Sequence, residues 1–492
     1  MKKDSSTFDF PAWSYLLGPM GPRSFTSTLN KVRQATLAQI EERFAPWLPA
    51  CLLEKHRPKQ ERDRIFTTPR TFWCFLWQML QGNTSCREVL LQLIALFKLQ
   101  GGSAVDANTS GYCQARPRLP LPLLEEALEA SAQAAGQRAP ERALLQGRPI
   151  KAVDGSSNRL ADTPENQKRF PQPTNQKAGC GFPVMRIVVL FCASSGAILA
   201  KAIDSLWKSE LKLAATLLAY LRKGDILLAD RHFGNFTILA LLPLLAQGVD
   251  LIARVATGSR RVDFRKGQRL GKKDRLFIWK RGPRAGHWLQ KKLRILLPDE
   301  ITVRVLRVSV CPKGFRAHTI TLMTTLLDPK LYPAHEIAAA YRRRWRLEMC
   351  LDDLKTTLGL EKLKCLTPEM AEKELLAGLI AHNLLRALMA EAARTHDVDL
   401  DRISFKGCLD CFRQFGAALC QARTRKGRLA LWAQLLKTLA TDQVPHRPGR
   451  REPRAVKRRC KYQKLTRRRA LQKDRPLRHI RKTASKRRRA LN

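Results

Sequence analysis

The apolar positions follow two rhythms. Up to about residue 145 they recur at helical spacing: Thr28–Phe44 and Arg70–Leu80 carry it, and Ser85–Leu99 follows a Gly-Asn turn signal. SGYCQARPRLP (110–120), with two prolines, reads as a break between helices, and Leu121–Gln137 is again helical with acids at its start. From Arg148 the period shortens. RPIKAVDGSS is a short β run ending in Asp-Gly, PVMRIVVLFCA (183–193) is rich in β-branched residues, and 197–203 follows a Ser-Ser-Gly turn. Three consecutive strands are expected, then a helix (210–222), a buried strand (DILLAD, 225–230), a helix (235–246) and a strand (249–256). Strands followed by alternating helix and strand imply a mixed α/β sheet with some parallel pairing.

Residues 258 to about 313 break this rhythm with Gly-Lys turns and the β-like runs LFIWK, KLRILL and TVRVLRVSV, and read as an inserted basic β-rich subdomain. His318–Leu326 returns as a strand. Ala338–Leu360 (AAAYRRRWRLEMCLDDLKTTLGL) has helix-forming composition with no Gly or Pro before Gly359, and Leu375–Arg394 is strongly helical.

Charge narrows the partners. The 492 residues carry 90 Lys and Arg against 42 Asp and Glu, a formal charge of +48. Such a chain repels itself unless a polyanion neutralises it, so nucleic acid is the expected partner and salt-sensitive binding should follow. An anionic membrane is the rival, but the charge does not collect on one amphipathic helix. Residues 447–492 hold 21 Lys and Arg against two acids, +19 of the total, with little apolar content. This tail is expected to be disordered when free and to stick to nucleic acid without specific readout. The thirteen Cys show no framework spacing, and Cys74, Cys192 and Cys350 sit in apolar runs, which suits a reducing cytosol. MKKDSSTFDFPAW has no apolar h-region, so no secretory signal is expected. The longest apolar run, Phe236–Ala253, is interrupted by Pro243, Gly248 and Asp250 and reads as helix then strand, not as a membrane span.

Candidate chemistry gathers at three places. Tyr341, Arg344, Glu348 and Lys355, at offsets of 3, 7 and 14 residues, fall within an arc of roughly 60° on a regular helix. Such a face can meet phosphates through Arg344 and Lys355 while holding the Glu348 carboxylate near them. A solvated face with an i,i+4 Arg344–Glu348 pair reads equally from spacing alone. Asp154 ends the first strand at a turn, and Asp230 ends DILLAD just before Arg231. Strand ends in an open α/β sheet converge on one crevice, so Asp154, Asp230 and Glu348 could form an all-oxygen site for Mg²⁺. Two such ions about 4 Å apart can activate water or a 3′-hydroxyl and stabilise the leaving oxygen of a phosphodiester. Either Asp alone is as readily a turn former or helix cap. Asp352, at i+4 from Glu348, is a lesser third-carboxylate candidate, and His232 reads as a polar loop residue. Cys408-x2-Cys411 with Cys420 has loose zinc spacing but no clear fourth ligand, and CLDCFRQF reads as a helix with buried Cys.

VDGSS around Asp154, LLADRHF around Asp230 and the Y-x2-R-x3-E-x6-K string from Tyr341 to Lys355 resemble the DDE transposases of bacterial insertion sequences, specifically insertion sequence family four. The resemblance spans roughly residues 70–390, including SGYCQARPRLP and the Gly-containing stretch 175–183. It implies an α/β fold: a ribonuclease-H-like mixed sheet with a β-rich insertion, after a helical N-terminal domain and before a helical segment and basic tail. The expected organisation is a helical DNA-binding region (1–145), a catalytic domain (146–400, insertion about 257–317), a helical region (401–446) and the tail (447–492).

The resemblance further implies that Asp154, Asp230 and Glu348 bind two Mg²⁺, with Mn²⁺ able to substitute. Tyr341, Arg344, Lys355 and Arg231 would contact DNA. The expected activity is cutting at transposon ends and joining of the 3′-hydroxyl to target DNA, cut-and-paste through a hairpin. Partners would be double-stranded DNA, as terminal inverted repeats and target, and a second copy in a synaptic dimer; no membrane is involved. The location would be the bacterial cytoplasm, at the nucleoid. A family member with the same signature stacks a Trp on the hairpin just before the strand that precedes the glutamate helix. The corresponding position here is near Ile320, with no Trp within ten residues; Trp279 and Trp288, earlier in the insertion, could substitute or could be core residues. A catalytically inactive DNA-binding repressor and a structure-specific nuclease of the same fold are the alternatives. All the signature positions are intact, which disfavours the first.

Overall fold

The computed structural model describes Phe44 and residues 47–59, 65–99, 106–140, 143–255, 262–310, 318–421 and 424–445. The expected helix at 28–44 (apart from Phe44), both ends of the insertion and the basic tail lie outside these. The chain forms two compact units, one built from residues up to Pro140 together with Ala377–Val444, the other from Glu141–Leu376 and the residues from Pro445 on.

The first unit is helical. Thr68–Leu80 begins with Pro69 at its first turn, where a missing N–H costs nothing, and ends at Gly82 and Asn83, both left-handed. It is buried almost all round, as a core helix should be, and Tyr112 Oη donates to Gln78 Oε1 at 2.9 Å. Ser110–Arg118 is itself a helix, not the expected break. Pro117 falls in its last turn, where its ring removes only one terminal hydrogen bond. Cys86–Leu99, Leu121–Arg138, Phe405–Gln421 and Arg425–Thr441 complete the unit with the later part of Pro368–His396. That last helix is the one, among the described residues, long and apolar enough to cross a membrane, but 94% of its apolar window is buried within the protein, the signature of a core helix.

The second unit is organised by one sheet. β1 is Leu144–Leu145, β2 Arg148–Arg159, β3 Val184–Cys192, β4 Ile198–Ser205, β5 Ile226–Ala229, β6 Asp250–Arg254, β7 Gln268–Gly271, β8 Asp274–Lys280, β9 Glu300–Val310 and β10 His318–Thr324. The order is β4-β3-β2-β5-β6-β10-β9-β8-β7. β2, β3 and β4 are antiparallel, and β5 and β6 then add in parallel beside β2. Three antiparallel strands flanked by two parallel ones make the ribonuclease-H-like core. On one face Val153, Val188, Leu190, Leu227, Ala229 and Leu251 pack with Leu213, Leu217 and the helix Phe236–Leu245 in one apolar cluster. Ala152 and Asp154 alternate with Val153, so the period of two points them to the opposite face. There the helices Ala334–Arg342 and Arg344–Asp352 meet β6 and β2.

The insertion is β-rich as expected, and one expectation within it changes. Its strands β7, β8 and β9 pair onward from β10, so they lengthen the central sheet. KLRILL is not a strand but a short helix, Lys291–Ile295, and its exit. Ile295 and Leu296 are exposed and only Leu297 reaches the core, which a single turn achieves without a strand partner.

Arg304 on β9 is wholly buried. It pairs with Asp274 and donates to the carbonyls of Leu326, Asp328 and Tyr332. One guanidinium thus satisfies three backbone acceptors in the segment that leads into the helix Ala334–Arg342, and so sets where that helix begins.

Candidate active site

Parallel pairing brings the two aspartates together. Asp154 does not end its strand as the Asp-Gly pair suggests: β2 pairs with β3 on through Gly155 to Arg159, so Asp154 lies inside β2, while Asp230 directly follows β5. Ile150 pairs with Ile226, Lys151 with Leu227 and Ala152 with Leu228. Continued for two residues, that register sets Asp154 opposite Asp230 on adjacent strands, whose spacing is about 4.8 Å. Each aspartate has one oxygen occupied by local backbone. Asp154 Oδ1 accepts from Gly155 N at 2.8 Å, and Asp230 Oδ1 accepts from His232 N at 2.7 Å and Phe233 N at 3.3 Å. The Asp230 bond to His232 N is an Asx turn that fixes the carboxylate against its loop.

Glu348 comes from the helix Arg344–Asp352, which packs on β2. The link between them is Arg344. Its Nη2 donates to Glu348 Oε1 at 2.6 Å, and its Nη1 lies 3.6 Å from Asp154 Oδ2. Arg344 is largely buried, with the Tyr341 ring 5.8 Å from the guanidinium carbon. The i,i+4 pair expected of a solvated face does form, but its arginine faces inward. Burial raises the Asp154 carboxyl to about 6, and the negative charges of Asp230 and Glu348 push the same way; the Gly155 N–H and Arg344 pull against them. Asp154 therefore feels both other carboxylates. Burial likewise raises the Tyr341 hydroxyl, which senses Arg344, Arg254 and Asp230.

The glutamate stretch is not the single regular helix expected. It breaks at Arg343 between Ala334–Arg342 and Arg344–Asp352, and continues as a wider π turn over Asp353–Thr357. Tyr341, Arg344 and Glu348 keep their common side. Lys355 lies within the π turn, where each residue advances by less than 100°, so it departs from the arc of a regular helix. It is half-buried, Asp352 is exposed, and Arg231 and His232 are exposed beside Asp230. His232 Nε2 is 3.9 Å from Glu210 Oε2.

An oxygen-only set of three carboxylates fits a hard divalent cation. Among the described residues no three His, Cys, Asp or Glu side chains already stand together at ligand spacing. The Arg344 guanidinium lies between Asp154 and Glu348 and balances their charge.

Trp345, adjacent to Arg344, was not among the candidates that spacing suggested. It is 66% exposed, with exposed Met349 one turn on and exposed Arg342 and Arg346 around it. The signal was in the sequence, an aromatic inside the RRRWR run. Trp279, by contrast, is buried in the apolar cluster, and Trp288 packs against it. Cys408 is a buried thiol on the helix Phe405–Gln421, its Sγ 3.8 Å from Leu385 O.

Residues 145–384 match the family described as Transposase DDE domain. The transposase InsG for insertion sequence element IS4 of Escherichia coli (strain K12) is 27% identical over 334 residues, covering 68% of this chain and 72% of that one. The transposase for insertion sequence element IS421 of Escherichia coli is 31% identical over 97 residues, 20% of this chain and 25% of its own. Among solved structures, a piggyBac transposase synaptic complex with hairpin DNA aligns over 85% of this chain and 86% of that one, at a TM-score of 0.37 and 11% identity. The domain match and the IS4 relative make this chain similar to the DDE transposases of IS4-like insertion elements.

Proposed function

We propose that the chain cuts DNA at the ends of its element and transfers the freed 3′-hydroxyl into target DNA, using Asp154, Asp230 and Glu348 to hold two Mg²⁺. The observation that carries this reading is the meeting of two aspartates across a parallel strand pair with a glutamate tied to one of them through Arg344. When bound, such ions supply charge neutralisation at the attacking and leaving oxygens. The chain's own residues do the rest. Asp154 and Asp230, each pinned through one oxygen, keep the other fixed for a ligand. Tyr341, Arg344, Lys355 and the exposed Arg231 hold the phosphates on either side of the scissile bond, because cations beside developing oxyanions lower the barrier without reorganisation. Trp345, with Met349 beside it and arginines around it, offers a face on which an unpaired base can stack, as a hairpin route requires. The helical region up to about residue 145 supplies recognition of the terminal inverted repeats, and joining two ends calls for a dimer.

The test is metal-dependent cleavage of an end-containing duplex by Asp154→Ala, Asp230→Ala and Glu348→Ala. Each is expected to abolish cleavage in Mg²⁺ and Mn²⁺ while retaining DNA binding. Cleavage persisting in any one variant removes that residue from the site. A wild-type chain that footprints the element ends without nicking them is a DNA-binding repressor instead, and one that cuts branched DNA lacking the repeats is a structure-specific nuclease.

A further inference from the structure

We infer that Arg344 is a displaceable internal cation that competes with a divalent ion for Asp154 and Glu348 until DNA draws it away. The inference rests on the metal-binding reading of Asp154 and Glu348. One guanidinium presents two nitrogens to these two carboxylates, at 3.6 Å and 2.6 Å, from a side chain only 12% exposed. It neutralises two acids that would otherwise repel each other across a partly buried crevice. A guanidinium held against the Asp154 and Glu348 carboxylates repels a dication drawn to the same two groups, so each weakens the hold of the other. Arg344 also lies over the ring of Tyr341, the other residue of this stretch proposed to meet a backbone phosphate. A phosphate that takes Arg344 therefore frees both carboxylates. DNA binding and metal binding are coupled through this one side chain, and the coupling runs equally in both directions. The free protein thereby holds metal more weakly before it holds DNA.

The experiment measures Mn²⁺ affinity without DNA, by electron paramagnetic resonance of the free ion, on the full chain. Arg344→Ala is expected to bind Mn²⁺ about tenfold more tightly than wild type, within the usual range of coupling between sites. Arg346→Ala makes the same change in net charge from an exposed position on the same helix and is expected to shift affinity less than about twofold. Should Arg344→Ala fail to fold, Arg344→Gln keeps most of the stem and the hydrogen-bonding capacity while losing the charge, and is read in the same way. Equal affinity in wild type and Arg344 variants overturns the inference, as does an equal gain in Arg346→Ala. If Asp154→Ala and Glu348→Ala bind Mn²⁺ as well as wild type does, the metal-binding reading fails first, and the inference falls with it.

Discussion

Gly234 lies against the main chain of Arg254: a β-carbon placed on it would stand 2.6 Å from the Arg254 carbonyl oxygen and 3.2 Å from Ala253 Cβ. The contact seats the loop that follows Asp230 on the end of β6, and the Gly234 N–H donates to the Asp230 carbonyl. Backbone cannot step aside as a flexible side chain can. Gly234→Ala is expected to cost about 1 to 3 kcal/mol by overpacking, measured by urea unfolding. Below the unfolding transition it should still cut DNA more slowly, since the loop it lifts holds the Asp230 carboxylate. A variant with wild-type stability and cleavage would show that the loop yields freely.

The buried Asp154 carboxyl has its own pH signature. Its value in the folded metal-free chain, about 6, lies above the ordinary aspartate value. The folded state therefore binds this proton more tightly than the unfolded chain does. Stability from this group is fully present below about pH 4 and is lost as pH rises through about 6, roughly 3 kcal/mol in all. Unfolding midpoints taken without metal from pH 4 to 7 should fall less steeply for Asp154→Asn than for wild type. Parallel curves would remove the effect.

Arg304 and Asp274 form a pair whose guanidinium has no exposure. Arg304→Met strands a buried carboxylate and releases three carbonyls, and is expected to cost about 3 to 5 kcal/mol. Replacing both partners, Arg304→Met with Asp274→Leu, should recover much of that loss in a chemical-denaturation series. Cleavage should not recover in proportion, because the carbonyls of Leu326, Asp328 and Tyr332 remain unheld ahead of the glutamate helix.

Trp345 is exposed, so Trp345→Ala should leave the melting temperature within about 1 °C of wild type, as surface substitutions usually do. Loss of one stacked base is worth about 1 to 3 kcal/mol, and should appear as weaker binding of duplexes with an unpaired base at the cut, measured by fluorescence anisotropy. Trp279→Phe should leave that binding unchanged, since the indole lies in the apolar core.

Much of this architecture can be read from residue order because the sheet's inner strands are short apolar runs bounded by turns. β3, β5 and β6 each lie close to the run that announced them. Asp230 could be placed at a strand end, but Asp154 could not, because β2 runs on past the Asp-Gly pair to Arg159; that the two face each other depends on which strand β2 chooses as a parallel neighbour, a long-range pairing that periodicity does not carry. The glutamate stretch misled in another way. Its composition favours helix throughout, while the π turn at Asp353–Thr357 is a local misfit in turn number that composition does not register. Trp345 was overlooked because an aromatic in a helix is ordinarily core, and only the direction of Arg344 into the sheet turns its neighbour outward. The continuity of the insertion with the central sheet was hidden because β10, the strand that joins them, comes last in sequence.

The helical unit is made of two stretches separated by the whole catalytic sheet, and the helix Pro368–His396 passes from one unit into the other. On a ribosome adding about 5 to 20 residues per second, its first stretch waits tens of seconds for the second. Through that interval the apolar sides of Thr68–Leu80 and Leu121–Arg138 lack their final cover. The later stretch thus completes the earlier one, and no truncated product ending inside the sheet can close its helical unit.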